Sequence, residues 1–207
     1  MFACIVLAAG EGSRLGRCKA NLPFGFNGQT FLSHIINIYL NSHVDKIYVV
    51  TGNWECETVA AAQKYSSMVS FVNNDNPKMG MFSSVCKGVS LLDKNIEYFF
   101  VHPVDIPLVK EETLHKMKNT VLNSGNNKTW VVPEYKNEEG HPVLIPSLLV
   151  PELLNWNGER GLQGFLSQQK DNKIIEYVND VGTIFDIDCE DNYLKLTDII
   201  KNSPQNA

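Results

Sequence analysis

Segments that look like buried strands alternate with segments of helical periodicity along most of this chain. The first, residues 2–8, is a continuous apolar run, which is typical of a strand covered on both faces. The segment that opens at Thr30 places Phe31, Ile35 and Tyr39 on one helical stripe. This alternation predicts a three-layer α/β/α fold with a mainly parallel, mixed sheet and helices on both faces.

The same pattern gives approximate bounds for the later elements. Strands are predicted at residues 44–51, 69–72, 98–101, 129–133, 173–178 and 183–187. Helices are predicted at residues 55–66, 82–92, 111–122, near 162–169 and from about 190. A length of 207 residues fits one domain, which we place at residues 1–200, with a polar tail at 201–207. Ligands of such folds bind outside the carboxyl ends of the strands, so the segments that follow the strands are the candidate sites.

The composition excludes several classes of protein. A chain with 43% hydrophobic and 20% charged residues is globular rather than disordered. The net charge of −5 argues against a nucleic-acid or anionic-membrane partner held by bulk charge. No apolar run approaches the ~20 residues of a membrane span, and no basic residue precedes the first run as in a secretory signal. We therefore predict neither a nucleic-acid nor a membrane partner.

The cysteines indicate a reducing compartment. Their number is odd and no two are spaced C-x-x-C, so neither a disulfide framework nor a cysteine zinc site is expected. We predict a cytoplasmic protein with free thiols at Cys4, Cys18, Cys56, Cys86 and Cys189.

The loop after the first strand, residues 7–19, has the composition of an anion-binding turn. Gly10, Gly12 and Gly16 permit tight turns and close approach to a ligand, and exposed backbone N–H groups bind phosphate. Its basic residues are Arg14, Arg17 and Lys19. The spacing fits neither G-x-G-x-x-G nor G-x-x-x-x-G-K-[ST]. Two explanations of this segment remain. It is either a solvated loop that binds a polyphosphate, with Lys19 exposed, or a strand-to-helix turn that merely uses glycine.

Two acidic segments follow later strands. Asp105 lies between Pro103 and Pro107, and a stiff carboxylate at a strand end suits Mg²⁺; the alternative is a capping aspartate. Asp186 and Asp188 alternate with apolar residues, which places both on one face of the predicted strand. If one of these carboxylates lies beside Asp105, the two like charges repel. In the absence of metal we then expect a raised pKa for at least one of the two carboxyl groups. Alternatively, Asp188 is the N-cap of the last helix.

Two further segments are weaker candidates. His141, between Gly140 and Pro142, lies in a constrained turn, either at a cleft edge or simply on the surface. In residues 76–85, Ser83 or Ser84 is expected to cap the following helix, either as the wall of a base or sugar pocket or only as a cap.

The chain contains an ordered set of six sequence motifs: LAAGEGSRLGRCK, NP-x-x-G-M-x-S-S-V, HPVDIP, GHPV, ERG-L and DIDCEDNY. Together they resemble the molybdenum-cofactor cytidylyltransferase-like (MobA/MocA-like) NTP transferases of the nucleotide-diphospho-sugar transferase superfamily. The resemblance runs from residue 2 to about residue 196. It implies a Rossmann-like, glycosyltransferase-A-type fold.

The resemblance also implies roles for individual residues. Gly10, Gly12, Arg14 and Lys19 would hold the triphosphate, and Asp105 with Asp188, rather than Asp186, would hold Mg²⁺. Arg14, Lys19 and Asp105 would be catalytic. The expected nucleoside pocket consists of Ala8, Ala9, Thr51, Gly52, Asn53 and Ser83, and the expected acceptor side of His141, Glu159 and Arg160.

The implied reaction is nucleotidyl transfer. An acceptor phosphate, that of molybdopterin, attacks the α-phosphorus of CTP and pyrophosphate leaves, with a molybdoenzyme as a possible partner for the product. Two alternatives remain open. One is transfer to a sugar phosphate or polyol phosphate, and the other is a carrier that binds a nucleotide-cofactor product without catalysis.

Overall fold

The structure, a computed structural model, describes residues 1–12, 14–25 and 27–201. The strands are β1 Phe2–Leu7, β2 Pro23–Phe24, β3 Gln29–Thr30, β4 Lys46–Thr51, β5 Val69–Asn73, β6 Tyr98–Pro103, β7 Trp130–Tyr135, β8 Glu138–Glu139, β9 Val143–Pro146 and β10 Lys173–Tyr177. The α-helices are α1 Phe31–Asn41, α2 Glu55–Ala61, α3 Met81–Val89, α4 Glu111–Asn123, α5 Val150–Leu154, α6 Gly161–Gln168 and α7 Glu190–Lys201. Lys201 ends α7, and the rest of the predicted tail lies outside the described residues.

Within the described residues, eight strands form one mixed sheet in the order β10-β7-β9-β6-β1-β4-β5, with β8 paired to β7. The central pairs β6-β1, β1-β4 and β4-β5 are parallel, as predicted. Strand β9 is antiparallel to both β6 and β7, and the sequence pattern did not indicate it. It has only four residues and ends at Pro146, so it lacks a recognisable period.

The sheet is covered on both faces because the side chains of each central strand alternate between two cores. In β1, Cys4 and Val6 pack with buried residues of α1, α2 and α4. Ala3 and Ile5 pack on the opposite face with residues of α3, α5 and α6. The three-layer α/β/α prediction is therefore confirmed. No helix of the described chain combines the length and apolar character needed to cross a membrane.

The predicted strand at 183–187 is wrong. Residues Val181–Thr183 form a 3₁₀ turn capped by Asp180, whose carboxylate accepts from the Gly182 N–H at 3.0 Å. The alternating apolar residues that suggested a strand are buried differently. Ile187 packs with Leu22, Phe31 and Leu196 in a small core beneath α7 rather than in the sheet.

The parallel strands β1, β4 and β6 end at the same edge of the sheet. The loops that follow β1 and β6 therefore lie side by side, and the Val104 N–H donates to the Leu7 carbonyl at 3.0 Å. This edge carries the candidate site.

Candidate functional site

A cavity of about 520 Å³ opens at the carboxyl ends of β1 and β6. This volume is within the usual range for small-molecule sites. The predicted site residues that line it are Ala8, Ala9, Gly10, Gly12, Arg14, Lys19, Asp105, His141 and Asp188. The fold thus brings together the glycine-rich loop and both acidic segments.

Backbone packing fixes the glycine-rich loop. Gly12 has φ +61°, and a Cβ there would lie 2.5 Å from the Arg17 carbonyl oxygen, so a side chain at this position is excluded on two grounds. The indole N–H of Trp54 donates to the Glu11 carbonyl at 2.8 Å and holds the loop from the β4 side. Trp54 also lines the cavity, a role that its position after a strand could have signalled.

A buried histidine stiffens the turn that carries Asp105. His102 is fully buried, and its Nε2 lies 2.8 Å from the Ile106 carbonyl oxygen, which can only accept. Nε2 therefore carries the proton, and Nδ1 accepts from the Tyr39 hydroxyl at 2.8 Å. Burial lowers the pKa of His102 to about 3, although the Ile106 carbonyl acts in the opposite direction, so the ring is neutral at neutral pH. The turn is closed by this ring as well as by the prolines.

Lys19 lies between the two predicted metal ligands. Its Nζ donates to Asp105 Oδ2 at 2.8 Å and to Asp188 Oδ1 at 2.6 Å. Arg14 donates to the other oxygen of Asp188 at 2.6 Å. The expectation of a solvated Lys19 is wrong: its side chain is 16% exposed, because the two carboxylates draw it into the cavity.

The charges at this cluster compensate one another. Burial lowers the pKa of Lys19, but the two carboxylates outweigh burial and leave that pKa above its usual value. The hydrogen bond from Lys19 holds the pKa of Asp188 below its usual value, with a further contribution from Arg14. The expectation of a raised pKa is therefore wrong for Asp188, because the Lys19 ammonium lies between the Asp188 and Asp105 carboxylates.

Asp188 reaches the cavity from an irregular segment rather than from a strand. The Ile187 N–H donates to the Asp105 carbonyl at 2.8 Å, which joins the two acidic segments directly. Asp186 also lines the cavity. Helix α7 begins at Glu190, and Cys189 rather than Asp188 directly precedes it. The carboxylate of Asp188 accepts hydrogen bonds from Lys19 and Arg14 instead of serving as the N-cap of this helix.

Four residues expected in the nucleoside pocket lie outside the described lining of this cavity. Thr51 is fully buried and donates to the Val72 carbonyl at 3.3 Å, and Gly52 packs beneath Ala9. Asn53 is exposed, and Ser83 donates to the Gly80 carbonyl at 2.8 Å.

Helix α3 contributes Ser84, one of the two serines considered for the pocket wall, and Met81 to the cavity, but not Ser83. It begins at Met81 with Gly80 as its N-cap, so the predicted serine cap is wrong. Met81 and Ser84 line the cavity from this helix. The serines instead bond Asn74, whose side-chain amide donates to Ser83 Oγ at 2.8 Å and to Ser84 Oγ at 2.9 Å.

A second cavity of about 1000 Å³ adjoins the first, and Leu7, Met81 and His141 line both. We call it the outer cavity. Its charged residues are Glu139, Arg160, Lys170 and Lys173. Glu159, expected beside Arg160, is not among the described residues that line it. Its apolar wall consists of Leu7, Met79, Met81, Phe82, Val85, Val101, Trp130, Val132, Val143, Leu162 and Leu166.

His141 lies at the junction of the two cavities. Its backbone N–H donates to the Thr183 carbonyl at 2.8 Å, and the Nδ1 atom of its ring is buried without a hydrogen-bond partner among the described residues. Burial lowers the pKa of His141, and nearby Asp105 partly offsets this effect. A neutral imidazole therefore faces both cavities.

The described residues contain no group of three or more His, Cys, Asp or Glu side chains arranged to hold a metal ion. The carboxylates of Asp105 and Asp188 nevertheless converge on one cation, the Lys19 ammonium. Mg²⁺ commonly takes only one or two protein carboxylates and completes its shell with water and phosphate oxygens. The donor set therefore fits such an ion.

Residues 4–173 match the model of the MobA-like NTP transferase domain. This chain belongs to that family. The match covers the glycine-rich loop and Asp105 but ends before Asp186 and Asp188. The MobA-like assignment made from the motifs is thus confirmed.

One sequence relative and two solved structures illustrate what this chain is similar to. This MobA-like chain is 34% identical over 147 residues to the bifunctional protein GlmU of Bifidobacterium longum, covering 69% of this chain and 32% of GlmU. It thus spans about a third of the length of this relative. A nucleotidyl transferase from Methanothermobacter, 21% identical, superposes with TM-score 0.80 over 97% of this chain and 98% of that one. Rv0371c of Mycobacterium tuberculosis in complex with manganese, 18% identical, superposes with TM-score 0.72 over 95% and 98%. The two solved structures share the fold.

Proposed function

We propose that this protein transfers a nucleoside monophosphate from CTP to the phosphate group of molybdopterin and releases pyrophosphate, with Mg²⁺ as cofactor, in the cytoplasm. The observation that carries the proposal is the meeting of Lys19, Asp105 and Asp188 beside the glycine-rich loop. Cationic and acidic groups at one cleft are the combination that a metal-bound triphosphate needs. A molybdoenzyme would receive the product.

The reaction needs positioning and charge compensation more than a protein nucleophile. An oxygen of the acceptor phosphate attacks the α-phosphorus and forms a new P–O bond. The bond from the α-phosphorus to the oxygen bridging to the β-phosphate breaks, and its electron pair leaves with pyrophosphate. The acceptor phosphate is already ionised, so no strong general base is required.

The chain's own residues divide the work. Gly10 and Gly12 let the backbone approach the triphosphate, and Lys19 and Arg14 offset the charge that develops on pyrophosphate. Asp105 and Asp188 would hold Mg²⁺, which supplies positive charge at the α-phosphate when bound. Manganese in the related Rv0371c structure supports a divalent ion for this fold.

The outer cavity supports an acceptor that presents a flat ring face and a negative charge. Most of its lining is apolar, and Phe82, Leu162 and Leu166 offer a surface on which a flat ring packs. Arg160 and Lys170 carry positive charge at its wall. A sugar or polyol has no flat aromatic face to pack on this surface, so these features favour a pterin over a polyol.

A matrix of substrates tests the proposal. Purified protein is mixed with each of the four NTPs, Mg²⁺ and one acceptor: molybdopterin, a hexose 1-phosphate or a polyol phosphate. We expect pyrophosphate release with CTP and molybdopterin, and a raised KM for the acceptor in Arg160→Gln. Release with the sugar or polyol phosphate alone would instead identify the acceptor as that class. Tight binding of a nucleotide-cofactor product without pyrophosphate release would identify a carrier.

A further inference from the structure

We propose that the Lys19 ammonium holds the position of the metal in the free protein and moves to the triphosphate when the metal–nucleotide complex enters. Metal and nucleotide would then bind together, and metal alone would bind weakly. The inference rests on the proposed function for the identity of the nucleotide, but its first prediction concerns the metal alone.

Both predicted metal ligands, Asp105 and Asp188, already have cationic partners. The Lys19 ammonium contacts Asp105 Oδ2 and Asp188 Oδ1, and Arg14 contacts Asp188 Oδ2. A metal that takes the position between the two carboxylates must displace the ammonium and break both bonds of Lys19. Because the Lys19 side chain is only 16% exposed, displacement without a new partner leaves a poorly solvated ammonium. This cost opposes metal binding in the absence of nucleotide.

The triphosphate removes that cost. Lys19 lines the same cavity as Gly10 and Gly12, where phosphate oxygens are expected. An ammonium that leaves the carboxylates there exchanges one set of anionic partners for another. Since coupling between two ligands is reciprocal, metal must strengthen nucleotide binding by the same factor as nucleotide strengthens metal binding.

A purely structural role for Lys19 is the competing explanation. In that case the lysine ties the turn around Asp105 to the segment around Asp188. That tie already exists in the backbone, where the Ile187 N–H donates to the Asp105 carbonyl at 2.8 Å. Removal of the ammonium should therefore leave the two carboxylates close together and free for a metal.

The direct test measures Mn²⁺ binding to the nucleotide-free full chain, from the electron paramagnetic resonance signal of unbound Mn²⁺. We expect Lys19→Met to bind Mn²⁺ about tenfold or more tightly than wild type, a change of about 1.4 kcal/mol. Arg14→Met is the matched control, because Arg14 also contacts Asp188 but not Asp105. It removes the same charge and should give a clearly smaller gain.

Two further variants keep the result interpretable. Lys19→Gln retains a hydrogen-bond donor without charge and serves if Lys19→Met fails to fold. Adding Asp188→Asn to the Lys19 variant should abolish the gain, which places the metal between the two carboxylates. Equal Mn²⁺ affinity in wild type and both Lys19 variants would overturn the proposal, and so would an equal gain in Arg14→Met.

The second measurement concerns coupling. The affinity for a CTP analogue with a non-cleavable α,β-methylene bridge is determined with and without Mg²⁺. We expect Mg²⁺ to strengthen this binding strongly in wild type and much less in Lys19→Met. The same strengthening in both proteins would overturn the exchange. A protein that passes the Mn²⁺ test but binds no nucleotide would contradict the proposed function and leave the metal site standing.

Discussion

The Ile187 N–H donates to the Asp105 carbonyl at 2.8 Å, and this bond brings two acidic segments that are far apart in sequence to one point. Asp105 is the middle of a turn closed by His102, whereas Asp188 follows Ile187 in an irregular segment anchored beneath α7. The ammonium of Lys19 lies between their side chains. The candidate site therefore depends on tertiary packing at both ends of the chain.

Lys19→Ala should affect both activity and stability. Loss of a group that compensates developing charge should lower kcat by about 10²–10³. Without the ammonium, Asp105 and Asp188 repel each other, so the free energy of unfolding should fall by about 1–3 kcal/mol in urea titrations. Arg17→Ala is the control, since Arg17 forms an exposed pair with Glu190 and its removal should cost under about 1 kcal/mol. Unchanged turnover in Lys19→Ala would refute the phosphate role.

Stability should fall as the pH falls below about 6.5, the usual histidine pKa. Burial lowers the pKa of His102 to about 3 and that of His34, stacked on Phe24, to about 4. Below the usual histidine value the unfolded chain therefore binds protons that the folded chain does not. Each histidine then removes up to about 1.4 kcal/mol of stability per pH unit until its folded pKa is reached.

Urea unfolding at several values between about pH 5 and pH 7 measures this slope, above the range where most carboxylates titrate. His102→Gln should be less stable at pH 7 and show a shallower slope. The exposed His115 provides the control, and His115→Gln should keep the wild-type slope. An unchanged slope in His102→Gln would show that this ring is not held neutral.

Asp180→Ala should be strongly destabilising. The Asp180 side chain is 2% exposed and accepts from Lys110 N at 2.8 Å, Thr113 Oγ1 at 2.7 Å and Gly182 N at 3.0 Å. Truncation leaves these donors without a partner, which should cost about 3 kcal/mol or more of unfolding free energy. The exposed Asp171 is the control, and a similar loss in Asp171→Ala would contradict the assignment.

All five cysteines should be free thiols, with different accessibility. Cys56 is exposed, Cys86 and Cys189 are partly buried, and Cys4 and Cys18 are buried. In the native protein, Ellman's reagent should modify Cys56 first and the two buried thiols last. Unfolding without reductant should then give all five. A count of three or fewer would contradict the prediction of a reducing compartment.

The sequence was sufficient where short-range patterns and burial agree. The apolar run of β1 and the stripe of α1 gave the layers and the parallel sheet because each pattern reports directly on which faces are covered. The glycine-rich loop and Asp105 were identified for the same reason, since both follow recognisable strands. Their meeting at one cavity follows from strand order.

The sequence was insufficient where contacts are long-range. The alternation at 183–187 suggested a strand, but Ile187 is buried against α7 and the segment pairs with no strand among the described residues. The sequence also did not indicate that Lys19 is the ion-pair partner of both Asp105 and Asp188. No residue near Lys19 in the sequence shows that its side chain turns inward toward these carboxylates. The outer cavity likewise forms only when residues of β6, β7, α3 and α6 pack together.

The most direct test of the central claim is the rate of pyrophosphate release with CTP, Mg²⁺ and molybdopterin in the aspartate variants. We predict that Asp105→Asn and Asp188→Asn each abolish metal-dependent release, whereas Asp186→Asn, which lines the same cavity, is milder. The far-ultraviolet circular dichroism of each variant controls for folding. Asparagine caps helices about as well as aspartate, so a mere capping role for Asp188 predicts a silent Asp188→Asn. Full Mg²⁺-dependent release by folded Asp105→Asn would contradict the proposed site.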